Sequence, residues 1–180
     1  MANSNIVVAT FDEESKTYQA FSEIKQAGSR RKIKVEAMAI VRRAADGSLE
    51  TPDITGQAPT GTFKGGLIGS LIGILGGPLG VLLGWGTGAV IGSIRDASEI
   101  RSDFSLLKAL SAGMNPGDVA LIGEIEEPSN EVVNSIVRRL GGEVLRRPVD
   151  EIRREIEQAD RARSAAEREV RRVMSETPET

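Results

Sequence analysis

GTFKGGLIGSLIGILGGPLGVLLGWGTGAVIGSIR, residues 61–95, decides how the rest of the chain is read. Between Lys64 and Arg95 it holds 30 residues without a formal charge. Two glycine runs at four-residue spacing pass through it: Gly61, Gly65, Gly69, Gly73, Gly77, and then Gly76, Gly80, Gly84, Gly88, Gly92. Positions four apart share a helical face. Each run therefore gives a helix one side without side chains, where another backbone can approach closely. The other faces carry Leu67, Ile68, Leu71, Ile72 and Leu75 on the first arm. On the second they carry Leu79, Val81, Leu82, Leu83, Val90 and Ile91, together with the lone tryptophan, Trp85. Pro78, beside Gly76-Gly77, is the expected turn between the arms. Interior glycines disfavour a helix by roughly 1 kcal/mol each, so ten imply a penalty near ~10 kcal/mol. Only tight packing, or lipid that forbids unpaired backbone groups, offsets that. Gly65, Gly69, Gly73, Gly77, Gly76, Gly80, Gly84, Gly88 and Gly92 are thus the candidate helix-packing and oligomerisation residues. Leu67, Leu71, Leu75, Leu82, Leu83, Trp85 and Ile91 are the lipid- or core-facing ones.

On the N-terminal side, residues 5–11 are apolar and β-branched and predict a buried strand. Asp12-Glu13-Glu14 then sits where a helix N-terminus favours acids. Tyr18, Phe21 and Ile24 follow at helical spacing, with Gly28 as the expected stop. Residues 33–41 alternate, giving a strand with one apolar and one mixed face. Asp46-Gly47 signals a tight turn before a short return strand at 49–54. On the C-terminal side, Ser102 is placed to cap a helix with Phe104, Leu107, Leu110 and Met114 on one face. A third strand at 118–125, a helix from Pro128 to Leu140 and a fourth strand at 143–147 complete the pattern. With residues 43–117 set aside, the order is strand, helix, strand, strand, helix, strand. That order predicts an α+β, ferredoxin-like (βαββαβ) antiparallel sheet with two helices on one face. The expected organisation is a sheet domain at 1–55 and 98–148, the glycine-zipper hairpin at 61–95, and a charged C-terminal helix at 149–180.

Composition narrows the chemistry. The chain of 180 residues has no cysteine and no histidine. This removes disulfides, thiolate and imidazole catalysis and nearly every zinc site. Catalysis, cofactors and metals are not expected. A net charge of −3 argues against general nucleic-acid binding. The start carries no basic flank before its short apolar run, so a cytoplasmic location is expected.

A single bilayer crossing would separate strands that must pair. As a hairpin, the arms of about 13 and 17 residues measure ~20 and ~25 Å, against a hydrocarbon core of about 30 Å. Thirteen Leu, Ile and Val residues contribute about −4 to −8 kcal/mol to insertion. Insertion is therefore marginal for one copy and better for several packed together. Two readings stand. One is a non-catalytic, self-associating protein whose hairpin inserts in or packs on the inner face of the cytoplasmic membrane, with lipid and further copies of itself as partners. The other is a soluble homo-oligomeric scaffold or ligand-sensing protein with hairpins in a shared apolar core.

The C-terminal segment spaces Val149, Ile152, Ile156, Ala159, Ala166, Val170 and Val173 by three and four, a pattern broken by Arg163. Ile152, Ile156, Val170 and Val173 suit a coiled-coil seam equally well as a helix folded back on its own sheet. Six arginine pairs, among them Arg42-Arg43, Arg138-Arg139 and Arg146-Arg147, are read as solvated surface. Gly86-x-Gly88 lacks the preceding strand of a dinucleotide fingerprint.

The ensemble resembles a bacterial and archaeal domain-of-unknown-function family, number twelve-sixty-nine. The resemblance rests on Asp12-Glu13-Glu14, the zipper, Ile94-Arg95-Asp96, Phe104 to Leu110, Pro116-Gly117-Asp118-Val119-Ala120-Leu121 and Gly141-Gly142-Glu143-Val144-Leu145-Arg146. It covers residues 6–157 and implies the same interrupted architecture and membrane association. It supplies no activity. The extended charged tail departs from the family core.

Overall fold

The computed structural model describes residues 3–46, 48–56, 66–76 and 114–176. Within them, β1 (Asn3–Thr10), β2 (Lys34–Arg43), β3 (Leu49–Gly56), β4 (Val119–Glu127) and β5 (Glu143–Pro148) form one antiparallel sheet in the order β3-β2-β4-β1-β5. The helices are α1 (Glu14–Ser29), α2 (Leu67–Leu75), α3 (Glu131–Arg139) and α4 (Val149–Glu176).

The sheet follows from alternation with both faces covered. In β1, Ile6 and Val8 enter one apolar cluster while Val7 and Ala9 enter the other, which is why the strand is an unbroken apolar run. The first cluster joins α2 and α4 to Ala39, Val41, Ala120 and Ile122. The second joins α1 and α3 to Met38, Ile40, Leu121 and Ile125.

The two helices expected on one face, α1 and α3, share it, and α2 and α4 cover the other, so Ala39 and Val41 are as fully buried as Met38 and Ile40. Two expectations change here. The expected mixed face of β2 survives only at its start, where the register shifts between Val35 and Ala37. The return strand is a full edge strand, β3, so the sheet has five strands.

α1 also runs past its expected stop. Gly28 lies inside the helix, where a Cβ would come 3.1 Å from Val35 Cγ2, so close approach to β2 is the reason for glycine there. Termination comes from Arg31, at φ 58, with Arg31 N–H donating to Gly28 O (2.9 Å) and Lys32 N–H to Ala27 O (3.1 Å). This is the double bond pattern that usually recruits glycine. α3 ends the same way with the usual residue: Gly141 has φ 76 and donates to Arg138 O at 3.0 Å, and Gly142 donates to Val137 O at 2.9 Å. Arg31→Gly should therefore raise unfolding stability by about 0.5–1 kcal/mol, glycine's greater unfolded-state freedom offsetting part of the relief. Urea titration of the two proteins checks this.

Candidate helix-packing site

Whether the glycine-rich stretch is part of the sheet domain depends on α2. Ile68, Leu71, Ile72, Ile74 and Leu75 are all buried, and they pack on β2, β4 and α4. Leu67 is partly buried against the same cluster. The first arm is therefore core, with its apolar stripe turned onto the sheet. Its glycines lie on the other side. Gly73 is exposed, and a Cβ there would meet nothing within 4 Å; the same holds at Gly66. Gly69 and Ser70 are half-buried. Gly76 differs, because a Cβ there would lie 3.2 Å from Ile72 O and 3.3 Å from Leu49 Cβ. It lets the end of α2 touch the start of β3.

The remaining expected packing residues, Gly65, Gly77, Gly80, Gly84, Gly88 and Gly92, lie outside the described residues, as do Pro78, Leu82, Leu83, Trp85 and Ile91. So does the helix expected from Ser102, apart from Met114, which is buried in the α2 and α4 cluster. The segment between Gly76 and Met114 thus leaves from and returns to the same face of the sheet. β4 pairs with both β2 and β1, so one bilayer crossing between residues 56 and 119 is incompatible with the sheet. Among the described residues, no helix is long and apolar enough to cross a membrane.

In the C-terminal helix, Val149, Ile152, Ile156 and Ala159 are buried against the sheet and α2. Of the two readings left open for this segment, the helix folded back on its own sheet describes its first three turns. Val170 and Val173 lie on the same helix beyond that contact.

Polar ties missed by the sequence reading hold the insertion point. Arg43, expected at the solvated surface, is buried and donates from Nη1 to Met114 O. Its backbone N–H donates to Asp118 O at 3.0 Å, and its carbonyl accepts from Gly117 N–H at 2.7 Å. Asn115 N–H donates to Asp118 Oδ2 at 2.7 Å, closing the turn. Arg42 pairs with Glu14 at the start of α1. Arg139 pairs with Glu23 across α1 and α3, and this bond holds the Glu23 carboxyl below the usual range. Arg146 is the other correction. On the α3 side of the sheet its Nε donates to Glu127 Oε1 at 2.8 Å, Nη1 to Asn134 Oδ1 at 2.6 Å and Nη2 to Asn130 O at 3.4 Å. A period-based reading cannot see such pairs, because their partners lie on different elements.

Glu124 is shifted the opposite way to Glu23. Glu124 is half-buried in β4, paired with Ile6 on one side and Ala37 on the other. Burial raises its pKa and the charge of Glu36 adds to this, against the opposing effects of Arg153 and Lys34. A carboxyl titrating higher in the folded chain than in the unfolded one favours unfolding once the pH passes the ordinary value of 4.5. Glu124→Gln should therefore be more stable than the wild type at pH 7, with the gap closing below that value. Thermal midpoints measured across pH check the sign. A wild type more stable than the variant at pH 7 contradicts it.

Among the described residues no group of three or more acidic side chains could hold a metal ion. The arrangement defines a class: a mixed α+β domain, helices on both sheet faces, with a glycine-rich insertion between its third and fourth strands. The chain belongs to the family described as proteins of unknown function (DUF1269), whose model matches residues 59–159. The match takes in α2, β4, α3, β5 and the docked turns of α4. No curated protein and no solved structure matches the chain.

Proposed function

We propose that the protein is a non-catalytic, self-associating scaffold. Its ferredoxin-like core carries a glycine-zipper hairpin that packs helix against helix on the outer side of α2, between copies of the chain. Setting the edge strand β3 aside, the order β2-β4-β1-β5 supports the ferredoxin-like description. The carrying observation is the sidedness of α2: its large aliphatic residues face the sheet, while Gly73 stands exposed on the other side. A helix side turned to water ordinarily carries charged, helix-favouring residues, and each glycine in its place costs about 1 kcal/mol of helix stability. No contact among the described residues requires glycine at position 73. Close approach of another helix does. The absence of His and Cys supports a non-catalytic role.

A second reading, membrane association on the cytoplasmic face, is favoured by the charge-free run of residues 65–94. With α2 held on the sheet, contact with lipid would fall to the part of the run beyond Gly76.

Sedimentation velocity of the full chain, with and without detergent, tests the first reading against Gly73→Leu. A discrete, detergent-independent assembly is expected for the wild type. The variant should be a monomer that still unfolds in one cooperative thermal transition, its midpoint lowered by no more than the lost association accounts for. A monomeric wild type, or an assembly unaffected by the substitution, overturns the scaffold. Flotation of the wild type with liposomes would move the conclusion to the membrane reading.

A further inference from the structure

We draw no further inference here: the strongest candidate, the half of α4 beyond Ala159, which carries Ala166, Val170 and Val173 in its sequence, extends past the residues docked on the sheet, but nothing among the described residues shows what covers it.

Discussion

Arg146→Ala is expected to destabilise the protein by about 3–5 kcal/mol, the range for breaking a buried ion pair from one side. A domain of this size is stable by only about 5–15 kcal/mol in all. The magnitude rests on the state of Glu127. Its side chain is fully buried, its Oε1 accepts from Arg146 Nε at 2.8 Å, and its Oε2 has no partner among the described residues. Removing the guanidinium leaves that carboxylate without its counter-charge and also takes a donor from Asn134 Oδ1 and the longer of two donors from Asn130 O, which keeps the Asn134 N–H at 3.0 Å. These acceptors belong to the first turn and the N-cap of α3, so the loss reaches the α3 side of the core as well as the β5 edge. Replacing both members with apolar residues, as in Glu127→Leu/Arg146→Met, should recover much of the loss, because no charge then remains to be desolvated. Urea unfolding of the single variants and the double variant gives the coupling. If Arg146→Ala costs less than about 1 kcal/mol, the pair behaves as a surface bridge and the argument fails.

That pair also shows where the sequence was legible and where it was not. The strands β1, β4 and β5 and the helices α1 and α3 were visible because hydrophobic period is a local signal. Val7 and Ala9, or Ile136 and Val137, announce themselves within one window. Coverage of the second sheet face was invisible. The apolar run of α2 is the same string whether it meets lipid, another copy or the sheet. Only the pairing of Ala39 with Ile122, and of Ile122 with Val8, creates the apolar floor on which Leu71 and Leu75 settle. The arginine pairs failed for a related reason. Arg42 and Arg43 are adjacent in sequence but point to opposite faces, as neighbours in a strand must. One meets Glu14 on the α1 side and the other holds Met114 on the α2 side. Reading them as a patch joined two residues that the strand separates.

These ties bear on how the glycine-rich segment is mounted. Gly76 closes against Leu49, and Met114 closes on Arg43. Leu49 and Arg43 are themselves a pair in the β2–β3 ladder. Departure and return are therefore fixed to two paired strands at one corner of the sheet. α2, the described part of the glycine-rich stretch, packs on the same face of the sheet, which links it to the domain's own stability.

Leu71→Ala measures that link. Leu71 is 0% exposed, and trimming a buried leucine to alanine costs about 2–5 kcal/mol, depending on how far the surroundings collapse. Collapse is limited here. On one side stands a hydrogen-bonded strand pair, β2 and β4; on the other stands α4 with Ile152 and Ile156. A value in the upper half of the range is therefore expected, seen as a lower urea midpoint with an unchanged slope. Gly73→Leu, two residues away, changes more atoms and should cost nothing beyond any lost self-association in the same experiment, because nothing within the domain lies within 4 Å of its Cβ position. The contrast separates the inward from the outward side of one helix. If α2 were an arm that only leans on the domain and is drawn elsewhere in use, Leu71→Ala would leave the unfolding transition of the sheet where it was. A shift smaller than about 0.5 kcal/mol, within what surface substitutions give, would remove α2 from the core and with it the argument that its glycines are turned outward for a partner.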